Sequence, residues 1–282
     1  MSEPGISKPL AAALIGAGVA VAYSAVVLLI APGETDRFFA WDIQPPATAA
    51  FMGSFYTTAI PLLFILGRPG TPWQRVRPVL PTLIVLSTTM SLATLLHTDR
   101  FIWSSPVAWV WSGLYLLYPP LTVILYVRHA RRAGPPEPVR APVARALRPA
   151  ALAAAAPIAA LGGALFVAPE RTAGLWPWEL TPLTARVVGG WLLFLAGALV
   201  AMAREREWSS IRLLFPQAAL VLLLLLWGAA RFSGALDWTR PAARLYVGTI
   251  AFSLAVTGWV FVIHERRGRL VPVSRRSLAA GD

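Results

Sequence analysis

No cysteine occurs in the 282 residues, which excludes a disulfide scaffold, a thiolate metal site and a cysteine nucleophile. Charge is scarce as well. Asp, Glu, Lys and Arg make up 13% of the chain, against roughly 25% in soluble domains. Lysine is nearly missing: Lys8 stands alone beside the arginines that complete the 25 basic residues, and only 13 acids oppose them. No Walker loop, dinucleotide fingerprint or zinc motif is present. What the chain has in excess is apolar surface, 57% of residues, with a mean hydropathy of +0.63. A water-soluble enzyme does not fit that composition. Nor does a free nucleic-acid binder, in spite of the net charge of +12. The composition points to a membrane protein.

A bilayer core about 30 Å thick takes roughly 20 apolar residues as a helix, because a helix satisfies its own backbone hydrogen bonds in lipid. Eight stretches qualify: Leu10 to Ile30, Ala47 to Leu66, Val79 to Leu96, Val107 to Val127, Ala150 to Val167, Leu183 to Met202, Leu213 to Ala230 and Ala243 to Ile263. The first has too long an apolar core for a secretory signal and reads as a retained helix. The sixth carries a formal charge, Arg186 in its first turn, where the side chain is expected to snorkel to the headgroups.

Eight spans put both termini on one side, and the Lys/Arg count of the loops says which. The side holding both termini carries 18 basic residues, and the other side seven, matched there by seven acids. All of the net charge therefore lies on one face. The expected topology is N-in and C-in in the inner (plasma) membrane, with a basic cytoplasmic face against anionic lipid headgroups. Arg128, His129, Arg131 and Arg132 after the fourth span, and His264, Arg266 and Arg267 after the eighth, are the expected headgroup contacts. A b-type haem needs facing histidines within the bilayer. These two sit at helix ends without further ligands, so neither metal nor cofactor is expected.

The chain also repeats itself. At an offset of 137, Thr35 aligns with Thr172, Trp41 with Trp178 and Pro45 with Pro182, while Asp42 meets Glu179 by type. After a two-residue slip, an offset of 135 pairs Trp73 with Trp208, Trp103 with Trp238 and His129 with His264. Four spans return the chain to its starting side, so the halves read as parallel, same-topology repeats rather than inverted ones. The expected fold is all-α, with a four-helix repeat over 1–133, a Pro/Arg-rich cytoplasmic linker over 134–149, and a second four-helix repeat over 150–282 that ends in a basic tail.

The repeated external motif has a local reading. Thr35 and Thr172 are expected to cap a short helix. Its aromatic residues, Phe38, Phe39 and Trp41 or Trp176 and Trp178, are expected at interface depth. Pro45 and Pro182 suit the first position of the next span, and Asp42 and Glu179 precede it, where the helix dipole favours a carboxylate. This is an anchor and helix entry more than a ligand site. The segments FFAWDIQPPATAAFMG and WPWELTPLTAR resemble uncharacterised multi-pass membrane proteins of high-GC actinobacteria. The resemblance covers most of both halves and implies a membrane fold, with no activity to carry over.

Polarity within the spans is concentrated in the first half. The third span has Ser87, Ser91, Thr94 and Thr98 at spacings of four, three and four, with His97 beside the outer end. On the fourth, Trp111, Tyr115, Tyr118 and Thr122 share a face above Pro119-Pro120, a pair that kinks a helix and frees carbonyls. Where the second span has Ser54, Thr57 and Thr58, the sixth has Trp191, Phe194 and Leu195. Two facing stripes near a kink define a candidate ligand cavity built on Ser87, Ser91, Thr94, His97, Trp111, Tyr115 and Tyr118. The competing reading is plain packing, since hydroxyls in lipid bond their own helix or a neighbour. A His97-Asp99 acid/base pair is a weaker alternative, with no nucleophile beside it. Ala12, Gly16, Ala20, Gly162-Gly163, Gly189-Gly190 and Gly197 allow close helix approach and place the first, fifth and sixth spans nearest the centre or a partner.

The function these features favour is a non-enzymatic membrane module that binds a lipid, an apolar ligand, a membrane protein partner or a second copy of itself. A facilitator or permease for a small neutral or apolar molecule, working through the first-half cavity, is the alternative. It follows from the lack of any ionisable group mid-span to couple an ion. A membrane enzyme ranks third.

Overall fold

The computed structural model describes residues 5–132, 139 and 141–270, with side chains as far as 266. Residue 133, residues 134–138 and 140 of the expected linker, the basic tail over 271–282 and the side chain of Arg267 lie outside the described residues. Among the described residues the chain is helical, with two isolated bridges and no strand. Eight helices are long and apolar enough to cross a membrane. They are α1 (Lys8–Ile30), α2 (Pro46–Leu66), α3 (Leu80–Leu96), α4 (Pro106–Arg132), α5 (Leu147–Val167), α6 (Pro182–Arg204), α7 (Leu214–Arg231) and α8 (Pro241–Leu270).

Four of these helices open on a proline, α2, α4, α6 and α8, where the fixed φ suits the first turn and the missing N–H goes unused. Thr181 caps α6 reciprocally with Thr184: the Thr184 amide donates to Thr181 Oγ1 at 3.2 Å, and the Thr181 amide to Thr184 Oγ1 at 2.8 Å. In α4, Pro119 and Pro120 lack the N–H groups that would meet Tyr115 O and Leu116 O, and the Tyr115 carbonyl is taken by the Ser91 hydroxyl of α3; the Thr122 hydroxyl bonds back to Tyr118 O at 2.7 Å and to Pro119 O at 3.1 Å. Helix α5 begins at Leu147, three residues ahead of the expected start of the second half.

The packing interleaves the two halves of the chain. Helix α1 lies on α2 and α3 on α4; α5 lies on α6 and α7 on α8; across the halves, α3 packs on α6 and α7 on α2. One apolar core runs through both halves, from Leu28 and Met52 to Val188 and Ile250. The most buried helices are α2, α3 and α6. Of the three spans expected nearest the centre or a partner, α6 is therefore central, while α1 and α5 lie further out. On α1, Ala12 and Gly16 face outward, and Gly18 is the glycine that meets a neighbour, with Phe64 of α2 against it.

Contacts outside the helices sort into two ends. At the end holding residues 5–7, the Ser7 amide donates to His129 Nε2 at 3.0 Å and the Ala144 amide to His264 Nε2 at 3.1 Å. Ile6 N bonds to Thr71 O and Val143 N to Arg206 O, both at 2.9 Å. Trp73 stacks on His129 at 5.2 Å and Trp208 on His264 at 4.3 Å. Arg77 clamps Glu205 with both carboxylate oxygens in reach, at 2.7 and 2.6 Å. At the opposite end, Ile102 N bonds to Ala40 O at 2.9 Å and Asp237 N to Pro177 O at 2.8 Å. We call these the basic end and the motif end.

Candidate functional site

The hydroxyls of the first half are largely satisfied by their own helices. Ser54 donates to Ala50 O at 2.8 Å, Thr58 to Phe55 O at 2.9 Å, Ser87 to Ile84 O at 3.3 Å and Thr94 to Met90 O at 2.8 Å. Two contacts tie the facing stripes of α3 and α4 together. The Ser91 hydroxyl donates to the backbone carbonyl of Tyr115, and Trp111 Nε1 donates to Thr94 Oγ1 at 3.1 Å. Ser91 and Thr94 therefore belong to a helix–helix seam.

Beside this seam lies a cavity of about 480 Å³, inside the 300–1,000 Å³ range of ligand pockets. All four helices of the first half wall it, and α6 and α7 of the second half close its back. Of the seven residues expected there, Ser87, Trp111, Tyr115 and Tyr118 line it; Ser91, Thr94 and His97 do not. Trp191, Phe194 and Leu195 of α6, the large apolar counterparts of Ser54, Thr57 and Thr58, line it too. No Asp, Glu, Lys, Arg or His is in the lining. From Trp191 to Met202 the α6 wall runs about 16 Å at 1.5 Å per residue.

The cavity opens sideways. Val19 and Tyr23 of α1 and Val110 of α4 line it, yet they are 61%, 47% and 60% exposed. Towards the basic end the gap between the two helices is closed where the Tyr118 hydroxyl donates to Ala13 O.

Polar side chains among the lining residues are few, and two of their fully buried atoms lack partners. Trp191 Nε1 is buried with no acceptor, and Gln217 Oε1 has no donor. An unmet buried polar group costs about 1–3 kcal/mol. Mid-cavity, the Tyr56 and Tyr115 hydroxyls bond each other at 2.6 Å.

The repeated motif takes a different form from the expected anchor. Phe39, Trp41, Trp176 and Trp178 are 0–4% exposed and fold inward. Trp41 meets Trp111 at 4.9 Å and Phe101 at 5.2 Å, while Trp178 meets Tyr246 at 5.4 Å and donates to Thr48 Oγ1 at 2.8 Å. Tryptophan suits an interface and an interior equally well, and here the loop folds back over the helix ends. Thr35 does not cap its short helix; its hydroxyl accepts from Ile43 N at 2.8 Å and reaches Asp42 at 3.5 Å, closing the loop. Thr172 ends a helical turn and donates to Ala168 O at 2.8 Å. Pro182 opens α6 as expected, whereas Pro45 stands one residue before α2, whose first residue is Pro46. Asp42 and Glu179 are exposed.

Arg186 is held by a side chain of a neighbouring helix. Its guanidinium donates to His97 Nε2 at 2.6 Å, from α6 to the end of α3, and its Nε is buried without a partner. Asp99 pairs instead with Arg100 at 3.2 Å, so no His97-Asp99 pair forms. Burial first, and then the Arg186 charge, hold the His97 imidazole below its ordinary 6.5; Arg100 adds to this, and Asp99 and Glu170 oppose it. As pH falls through about 6.5, the unfolded chain takes up a proton that the folded chain resists, and stability falls. Thermal unfolding at about pH 7.5 and about pH 5.5 is expected to show a smaller loss for His97→Gln, which keeps an acceptor, than for the unsubstituted protein. Equal losses in both remove His97 as the cause.

The histidines expected to touch headgroups are occupied inside the protein. His129 and His264 each use Nε2 for a backbone amide and place Nδ1 2.9 Å from a carbonyl of their own helix, and His264 is 7% exposed. Arg128, Arg131, Arg132 and Arg266 are exposed at the same end. No group of three or more metal-ligating side chains occurs among the described residues. No family model, curated protein or solved structure matches this chain.

Proposed function

We propose that this chain is a non-enzymatic, multi-pass protein of the inner (plasma) membrane that binds a neutral, apolar molecule in the first-half cavity. The observation that carries the reading is the cavity itself: about 480 Å³, open sideways between α1 and α4, with no formally charged residue in its walls. A charged ligand finds no partner there, and burying an unpaired charge is strongly unfavourable. A sideways opening suits a molecule already dissolved in the bilayer. Passage to the far side needs a second opening, and the Tyr118–Ala13 contact ties α1 to α4 towards that side, which favours binding over a permease.

The orientation proposed is N-in and C-in, with Arg128, Arg131, Arg132 and Arg266 against anionic headgroups at about 1 kcal/mol each. We also infer that the halves are parallel repeats. Matched contacts support this: Ser7 with His129 as Ala144 with His264, and α3 on α6 as α7 on α2. Native mass spectrometry of the protein in mild detergent tests the function. A retained uncharged lipid, displaced by an added neutral apolar probe, is the expected result. A bare protein mass, together with no thermal stabilisation by such probes, overturns it.

A further inference from the structure

The rim of the cavity and its inner end lie at different depths along the helices. On the rim, Val110 of α4 stands about 6 Å from the helix start at Pro106, and Tyr23 of α1 about 10 Å from the helix end at Ile30, at 1.5 Å per residue, so both belong to the leaflet at the motif end. The Tyr23 hydroxyl donates to Phe38 O in the motif loop at 2.7 Å, which fixes the rim to that end. The inner wall reaches towards the other end. Met202 of α6 lines it about 30 Å from Pro182, together with Leu214, the first residue of α7, and Val79, one residue ahead of α3. Past them stand the buried Val76 and Leu80 and the Arg77–Glu205 clamp. Between rim and inner end, Ser87 and Thr58 spend their hydroxyls on their own helices, and Tyr56 and Tyr115 bond each other. Trp191 stacks on Phe55 at 4.8 Å and meets Tyr56 edge-on at 5.1 Å, and its Nε1, like Gln217 Oε1, is wholly buried and out of a guest's reach. The interior therefore suits hydrocarbon better than a polar head.

Resting on the reading that the cavity binds a neutral apolar molecule, we propose that its occupant is one long hydrocarbon chain of an uncharged lipid, taken up from the leaflet at the motif end. The head stays at the gap between α1 and α4, and the chain runs past Trp191 and the bilayer midplane to end near Met202, Leu214 and Ala218. A chain held within one leaflet reaches about 15 Å, half of a core about 30 Å thick, and the inner wall lies beyond that depth. The cavity therefore measures chain length: a long chain fills it, and a short one leaves a void whose lining forfeits dispersion contacts. The Tyr118–Ala13 contact bars the same entry from the leaflet at the basic end.

The test reconstitutes the full-length protein in phosphatidylcholine nanodiscs with palmitoyl monoacylglycerol that carries a photoreactive diazirine either beside the glycerol head or at the chain terminus. Labelling that an excess of the plain lipid suppresses is mapped by mass spectrometry, and this readout needs no variant to fold. The head-proximal probe is expected on α1 and α4 around Tyr23 and Val110, and the terminal probe on α6 and α7 around Met202 and Ala218. Affinity is then read in mild detergent by thermal stabilisation, which grows with ligand concentration over Kd, at equal mole fractions of palmitoyl and octanoyl monoacylglycerol in the micelle. The palmitoyl lipid is expected to bind at least about tenfold more tightly. Ala218→Leu takes up room at the inner end and is expected to weaken palmitoyl binding about tenfold and octanoyl binding less than about threefold. Head-proximal labelling at the inner end, or the same sites from both probes, overturns entry from the motif-end leaflet; equal affinity for the two chains overturns the measurement of length. Each of these leaves the cavity reading standing. No suppressible labelling, together with no stabilisation by either lipid, overturns both.

Discussion

Gly189→Ala is expected to lower the stability of the folded protein by about 1–3 kcal/mol, while Gly163→Ala raises it by about 0.5–1 kcal/mol. The opposite signs follow from where α5 and α6 touch. A Cβ on Gly189 stands 2.6 Å from Gly162 O and 2.9 Å from Phe166 N, both backbone atoms that no rotamer change can move. A Cβ on Gly162 is crowded in return, at 2.9 Å from Gly189 O. The helices have to separate to admit a methyl group, and the contacts along their whole seam weaken together. Gly163 meets nothing within 4 Å, so its replacement mainly restricts the unfolded chain. On the neighbouring position, Gly190 lets α6 close on Thr89 and Met90 of α3, with the nearest contacts at 2.7 and 2.8 Å. Gly189-Gly190 thus seats α6 between α5 and α3, and α6 carries Trp191 and Phe194 into the cavity. Reversible thermal or detergent unfolding of the two variants provides the measurement, and similar stability for both would falsify the close-packing account.

That pair of glycines also marks how far the sequence reads. Long apolar runs bounded by proline and loop arginine placed the ends of eight helices to within three residues, as in Leu10 to Ile30 against Lys8–Ile30, except where α4 and α8 run on through their terminal arginines to Arg132 and Leu270. Lipid allows few structures other than a helix, so composition and length nearly suffice for that level. Small residues were legible as close-approach positions, but not which of them are used. Gly162 and Gly189 form the contact, while Gly163 and Gly16, of identical local appearance, face nothing. The same limit governs the aromatics. Trp41 and Trp178 carry the signal of an interfacial anchor, and only the fold-back of their loops buries them. At the cavity, the α4 face of Trp111, Tyr115 and Tyr118 was visible in its spacing because one helix supplies it. The other walls come from residues as far apart in the chain as Ala17 and Val221, and no local period records that meeting. Trp191 had one trace in sequence, as the large residue standing where the first half has Ser54.

Filling the cavity is expected to separate binding from stability in the direction opposite to most substitutions. Ala198 on α6 and Ala218 on α7 both line it, and neither takes part in the Trp191 or tyrosine contacts. Replacing Ala198 with Phe and Ala218 with Leu puts apolar bulk where the ligand's tail runs and leaves the hydrogen-bonding groups in place. Each change adds dispersion contacts to walls that now face a void, so the unliganded protein gains about 0.5–2 kcal/mol per site. The doubly filled variant is expected to bind neutral apolar probes about 100-fold more weakly, about 2.7 kcal/mol, because a pocket with no spare room rejects the bulk it formerly held. If the space were a packing flaw without a ligand, the same changes would raise the melting temperature and alter no retained mass in native spectra. If α6 and α7 instead slide together when the cavity is vacant, both substitutions would clash and lower stability. Rising stability with vanishing ligand therefore distinguishes a binding site from both alternatives. The lateral gap between α1 and α4 supplies the control: Val110→Phe narrows the opening without filling the interior, and is expected to slow association while changing Kd little, since entry and exit share one path.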